Sequence, residues 1–471
     1  MLNYIWLGLM VLAVIIGGCT DHLKEVADKS FEMAEFAVMK TALPLVGIMA
    51  LWLGVMRLAE RAGLVALLAR ALRPLMRWLY PDVPPEHPAM GSILLNMAAN
   101  ILGLGNASTP LGLRAMQDLE TLNPRPGTAT NAMCMLLAIN TSSVQLIPVT
   151  AIAILAASHS TNPTAIVGTS LMATICAATA AVASAKLLSR LPIYQLPGPA
   201  EHARSTEAKA VEARGDKKDE RDGRDGRRST EAAAGGGAGG RSPVKEAPSL
   251  VPLRWWGVLI LSAFGLFFVY LFLRLAFPGL LGLPLSPETA NQSAFVHVVD
   301  AISRLSIPLM LSFFPLYAIL CGVKVYEEFV EGAKEGFDVG IRIIPYLVAI
   351  LVAIGMFRAA GGIDLLSKLL APAMLAIGFP PDLLPLVLMR PLSGSGTLGV
   401  FAELVKQFGP DSLISRMGGT IFGSTETTFY VLAVYFGSVA VKRTRYALPA
   451  GLIADTVGVI ASVIVCKMVF G

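Results

Sequence analysis

The chain has 471 residues, a net charge of +5, 54% hydrophobic residues and only 15% charged ones, with a mean hydropathy of +0.64. An ordinary soluble domain carries about 25% charged residues, so composition excludes that class. The small, dispersed basic surplus argues against nucleic acid as a partner, and five scattered cysteines with no CxxC pair argue against a disulfide framework or a metal site.

The opening "MLNYIWLGLMVLAVIIGGC" has no Lys or Arg before its apolar run, so it reads as a retained membrane helix rather than a secretory or lipoprotein leader. Further long apolar runs follow at 41–56, 165–185, 255–273, 307–323, 344–357 and 446–465. A span needs roughly 20 mostly apolar residues. In lipid every backbone group must be satisfied internally, which leaves helices or closed barrels. Short alternating strands of the barrel kind are absent from the sequence. The expected fold is therefore all-α: a polytopic integral membrane protein built from two homologous helical units with broken or re-entrant helices.

After the second apolar run, Arg57, Arg61, Arg70, Arg73 and Arg77 cluster. Residues 201–246 hold "EARGDKKDERDGRDGRRSTEAAAGGGAGGR" and almost no large apolar side chain, which predicts a disordered, charged linker over 191–252. By the positive-inside rule its Lys and Arg content favours the cytoplasmic side, but the Arg57–Arg77 cluster makes the same claim and long loops count little, so the orientation stays open. An additional membrane helix and loop occupy 253–302. At 326–338, Tyr326, Phe329, Val330, Ala333 and Phe337 recur at helical spacing among acids, the pattern of an interfacial helix or, equally, of a soluble helix packed on a loop.

Residues 1–190 and 303–471 repeat one another. "IIGGC" (15–19) answers "YAILC" (317–321), "TALPLVGI" (41–48) answers "RIIPYLVA" (342–349), and "GVMR" (54–57) answers "GMFR" (355–358). "NASTPLG" (106–112) answers "SGSGTLG" (393–399), "NTSSVQLI" (140–147) answers "STETTFYV" (424–431), and 170–186 answers 451–467. Six correspondences in one order, with a slowly drifting offset, indicate an internal duplication.

Polar residues interrupt the apolar background at matching places. Asn96, Asn100, Asn106, Ser108 and Thr109 lie in unit one, and Arg390, Ser393, Ser395 and Thr397 in unit two. Pro391, Gly394 and Gly396 disfavour a continuous helix there. The uncharged stretch Pro126–Ser158 is too long for one span and holds Asn140, Thr141 and Ser143 at its middle. It reads as two segments meeting at a polar break, or as a hairpin that enters and returns. The run Met417–Val441 is long enough to span, yet carries Thr425, Glu426 and Thr428 at its centre. Asp455 stands in the last apolar run where unit one has Thr174. Intramembrane carboxylates mark function by default, and Arg390 could pair with either one. Ser and Thr in membrane helices also bond their own backbone or join helices, so single hydroxyls carry less weight. No HExxH, GxSxG, phosphate-loop or Cys/His pattern occurs, so no enzyme activity is expected.

"GNASTPLGLRAMQDLETLNP" resembles the hallmark of spore maturation protein A, and "RPLSGSGTLGVFAELVKQFGPDSLISRMGGTIFGSTETTFYVLAVYFGSV" that of spore maturation protein B. The chain is thus similar to a fusion of the two, each unit carrying a nucleoside-recognition (gate) domain. The resemblance implies a transporter-like core in a bacterial inner membrane, without fixing the solute. The expected substrate-binding residues are Asn106, Ser108, Thr109, Asn140, Thr141, Ser143, Arg390, Ser393, Ser395, Thr397, Thr425, Glu426 and Thr428. Glu426 and Asp455 are the expected ion-coupling residues, for H⁺ or Na⁺, with no other cofactor and no metal. The expected partners are the lipid bilayer and a small polar solute, nucleoside-like or a small anion, with self-association as a further option. The alternatives are a non-transporting scaffold for envelope or spore maturation, and a passive channel.

Overall fold

The computed structural model describes residues 2–103, 105–195, 254–281, 293–362, 365 and 378–471, and within these the backbone is overwhelmingly helical. Five helical segments among them are long and apolar enough to cross a bilayer: Leu23–Arg61, Pro163–Leu188, Trp255–Ala276, Ala294–Leu320 and Ala447–Phe470. The protein is a multi-pass α-helical membrane protein. The described residues of 1–188 and 248–471 form one compact unit. Of the expected linker, only residues 191–195 are described; the rest lies outside the described residues.

α1 (Leu2–Cys19) is followed by α2 (Leu23–Glu35), which runs through a π-helical turn at Phe36–Ala42 into α3 (Leu43–Arg61). The wide turn has a local cause. Pro44 has no N–H to return to the preceding turn, and the amide of Leu43 reaches back to Val38 O instead. α4 (Leu64–Leu79) follows a left-handed glycine, Gly63.

Unit one continues with the hairpin α5 (Pro88–Leu102) and α6 (Gly105–Glu120), then α7 (Asn131–Thr141), α8 (Val149–Ala157) and α9 (Ile166–Leu188). Next come α10 (Trp255–Ala276), α11 (Ala294–Leu320) and α12 (Val325–Ala359). Unit two closes the chain with α13 (Leu384–Met389), α14 (Gly394–Phe408), α15 (Leu413–Ser424), α16 (Thr428–Ser438) and α17 (Ala447–Phe470).

The acidic stretch 326–338 is the first half of the continuous helix α12, docked on α3. Gly332 and Gly336 let the two backbones meet, since a Cβ on Gly336 would lie 2.6 Å from the Ala50 Cα. Such small-xxx-small spacing is a common route to close helix contact in membranes. Arg57 then bonds Glu328 at 2.8 Å and Glu335 at 2.5 Å, with Arg61 on Glu328 at 3.1 Å. The Arg57 hydrogen bond holds the Glu328 carboxyl below the usual glutamate range, against a smaller opposing effect of burial.

The two broken helices run in opposite directions. The start of α7 lies beside the loop after α16: Ala129 N donates to Arg443 O, and Arg445 reaches Asn131. The end of α8 lies beside the turn before α15, where Ser160 Oγ donates to Asp411 at 2.6 Å. The repeats are therefore inverted with respect to one another, an arrangement common in transporter folds. The long partners α9 and α17 pack through small residues. A Cβ on Gly458 would sit 3.2 Å from the Ala177 Cβ. The buried core draws on both units, with Met56, Ile154 and Ile166 beside Leu351, Phe401 and Ile421.

Candidate functional site

Both polar insertions are breaks. Between α7 and α8 the chain leaves helical geometry at 142–148, with Ser143 in the left-handed region at φ 46°. The freed carbonyls of Ser142 and Ser143 accept from Thr174 Oγ1 at 2.9 and 2.8 Å. Of the two expected readings of 126–158, the pair of segments joined at a polar break is observed. The Met417–Val441 run is likewise not one span, because it divides at 425–427 into α15 and α16. The reason is visible in the hydrogen bonds: the guanidinium of Arg390 takes the carbonyls of Phe422 (2.9 Å) and Thr425 that a continuing helix would use.

Arg390 closes the tip of the second hairpin, after α13, and Ser393 caps α14 by accepting from Gly396 N at 3.0 Å. The Arg390 side chain is 4% exposed, and it donates to Glu426 Oε2 at 3.3 Å and through Nε to Thr425 Oγ1 at 3.2 Å. Its plane stacks on Phe422, with Cζ 4.6 Å from the ring centre. Glu426 also accepts from Ser143 Oγ at 3.4 Å, and its backbone amide donates to Thr141 O at 2.9 Å. The acid in the second break is thus held by groups from both units. Of the two carboxylates open to Arg390, the pairing falls on Glu426. Asp455 instead accepts from Thr428 Oγ1 at 2.5 Å, and its other oxygen is buried with no hydrogen-bond partner among the described residues. Thr174 and Asp455, at corresponding positions of α9 and α17, each support a break.

A cavity of about 310 Å³ opens where the breaks meet. Unit one contributes Gln145, Pro148 and Thr150; unit two contributes Arg390, Ser395, Phe422 and Glu426, among others. The first turns of α8 and α14 face it, so two helix N-termini and a guanidinium bring positive potential to its wall. Glu426, at 38% side-chain exposure, supplies the balancing charge and an acceptor. The wall therefore offers donors and acceptors side by side.

Of the expected binding residues, Arg390, Ser395 and Glu426 line this cavity. Thr141, Ser143, Ser393, Thr397, Thr425 and Thr428 are buried around it and support the breaks. Asn140 belongs to a separate ladder: its amide donates to Asn96 Oδ1 at 3.1 Å, and Asn100 donates to its oxygen at 2.6 Å. Ser108 joins that ladder through its carbonyl, which accepts from Asn96 at 2.8 Å. Thr109 is half-buried on the same hairpin, and the side chain of Asn106 lies outside the described residues. Sequence reasoning missed Gln145, Pro148, Thr150 and Phe422 as lining residues. Gln145 sits inside the quoted polar insertion, and Phe422 one helical turn before Glu426; neither carries a chemical signature by itself. Among the described residues no cluster of His, Cys, Asp and Glu fit for a metal is present.

Comparison with known proteins matches the same regions. A family model described as nucleoside recognition (Gate) matches residues 42–158 and 340–442. Spore maturation protein B of Bacillus subtilis is 46% identical over 176 residues, covering 37% of this chain and 99% of that protein. Spore maturation protein A of the same organism is 43% identical over 175 residues, covering 37% of this chain and 89% of that protein. No solved structure matches.

Proposed function

The chain belongs to the family of spore maturation proteins A and B, and from that premise we propose that it binds a small polar solute in the cavity between its two breaks and moves it across a bacterial inner membrane. The observation that carries this reading is the cavity itself, with Arg390, Glu426 and two helix N-termini converging from inverted halves. Acceptor atoms of a solute would meet Arg390 and the first amides of α14; its hydroxyls or amino groups would meet Glu426. A nucleoside-like molecule or a small anion offers such groups, in keeping with the family model's description. Broken helices in inverted repeats are the usual place for such sites in secondary transporters. Glu426 or Asp455 would carry a coupling H⁺ or Na⁺; no catalytic step is assigned.

Solute-dependent thermal stabilisation tests the reading. A ligand present at a hundred times its Kd adds about 2.7 kcal/mol to stability, a shift easily measured. Uridine, adenosine, phosphate and Na⁺ are compared on wild type, Glu426→Gln and Asp455→Asn. At least one solute should raise the wild-type Tm, with a smaller rise in Glu426→Gln. Absence of any shift in all three proteins would remove the main support.

A scaffold is the second reading, favoured by the Asn96–Asn100–Asn140 ladder and the Glu426 N to Thr141 O bond, which join segments without any solute. Deleting residues 201–246 separates the two. Loss of function with an intact membrane core would favour the scaffold, and an unaltered phenotype would favour transport.

A further inference from the structure

A second cavity, of about 490 Å³, lies between α9, α10 and α11 and has a different chemistry. Its wall is hydrocarbon, with Gly265, Phe268 and Phe272 from α10 and Leu305 and Met310 from α11. The polar side chain on it, Ser306, already donates its hydroxyl to Ser303 O at 3.0 Å. Water needs two to four polar partners, and this wall offers it little beyond the Ser306 oxygen. The cavity is open on one side, so a hydrocarbon ligand can enter it and make dispersion contacts along the wall.

On α10 and α11 the lining residues, 265–272 and 302–310, come from mid-helix, which puts that wall at hydrocarbon depth, while α9 contributes Val167 and Leu171 from its first turns. The outward residues of α10, Leu266 at 70% and Phe267 at 54% exposure, face what in a multi-pass protein is lipid. Headgroups cannot reach this depth, but tails lie alongside. We propose that this cavity is a binding site for one lipid acyl chain, inserted from the bilayer beside α10. The site reaches the first break: Leu146 and Ile147 line the apolar cavity, whereas their neighbours Gln145 and Pro148 line the polar one. One short segment thus separates a lipid tail from the polar cavity. This inference stands whether or not the polar cavity carries a solute.

The test uses the full chain in vesicles of phosphatidylcholine bearing a photoreactive diazirine at the middle of one acyl chain. Adducts are mapped by mass spectrometry. The site predicts labelling of the inner wall, at the buried Ile147 or Val167, as well as of the outward Leu266. Gly265 lines the cavity and a Cβ on it would have nothing within 4 Å, so Gly265→Phe adds bulk on the cavity wall. That variant should lose inner-wall labelling about tenfold while Leu266 labelling persists. A second measurement guards against misfolding: stripping lipid should lower the Tm of wild type, and lower that of Gly265→Phe or Gly265→Leu less. Inner-wall labelling that is absent in wild type, or equal in wild type and variant, overturns the proposal. So does a dimer whose α10 helices cross-link to one another without lipid adducts.

Discussion

Arg390 bonds Glu426 at 3.3 Å while the same guanidinium takes the carbonyls of Phe422 and Thr425, so one side chain both neutralises the acid of the second break and completes the end of α15. The pair is asymmetric, with the arginine buried and the carboxylate partly open to the cavity. Burying one charge beside another is tolerated when geometry and further hydrogen bonds compensate for lost solvation.

That asymmetry separates the two substitutions. Arg390→Leu leaves two carbonyls without their donor and the Glu426 carboxylate without its cation, and should lower stability by about 3 kcal/mol. Glu426→Gln leaves Arg390 bonded to both carbonyls and should cost about 1 kcal/mol or less, discounted for the exposure of Glu426. Tm values of the two purified variants decide the order, and a larger loss in Glu426→Gln would contradict it.

Close approach of the two units at the breaks is set by glycine at position 423. A Cβ there would lie 2.4 Å from the Pro148 Cβ. Gly423→Ala should therefore destabilise by about 1–3 kcal/mol, the usual range for overpacking, despite the better helix propensity of alanine. Chemical denaturation in detergent measures it; an alanine variant as stable as wild type would show that the breaks are less tightly joined.

Asn140 is the centre of the unit-one ladder, bonding Asn96, Asn100 and the Leu136 carbonyl. Asn140→Leu leaves the buried Asn96 amide and the half-buried Asn100 amide short of a partner and should cost about 2–3 kcal/mol. Asn96→Leu in the same background should cost less than it does alone, because the two act as one network. A double-mutant cycle with full additivity would refute the coupling.

Asp411 joins the α14–α15 turn to the end of α8. Burial pushes its carboxyl up, but hydrogen bonds from Ser160 and from the amide and hydroxyl of Thr161 outweigh that and hold it below the usual aspartate range. A depressed native pKa contributes stability above the unfolded value and loses it as pH falls through the native one. Wild type should exceed Asp411→Asn by about 1 kcal/mol near neutral pH, after allowance for solvent screening. The gap should close below about pH 4. A gap independent of pH would rule out the carboxylate as its source.

Much of this was legible in the sequence, because membrane helices announce themselves by length and composition and because the duplication repeats its polar insertions. The positions of the breaks followed from Pro391, the glycines and the clustered hydroxyls. Their direction did not, since an inverted and a parallel repeat share the same order of motifs; only contacts such as Ser160 with Asp411 distinguish them. The docking of 326–338 on α3 was equally hidden, because it rests on Gly332 and Gly336 fitting the backbone of another helix. The cavity wall was half visible. Arg390, Ser395 and Glu426 stood out by chemistry, whereas Phe422 and Pro148 line it only because the two breaks meet.

The most direct test of the central claim is equilibrium binding of radiolabelled uridine, adenosine and phosphate to the purified chain, wild type against Ser395→Phe. Ser395 lines the cavity from the first turn of α14, and its replacement by phenylalanine fills the space while leaving the Arg390–Glu426 pair in place. The account predicts saturable binding of at least one of these solutes to wild type, abolished in Ser395→Phe at unchanged Tm. Binding that survives the filled cavity, or no binding to wild type by any of them, would contradict it.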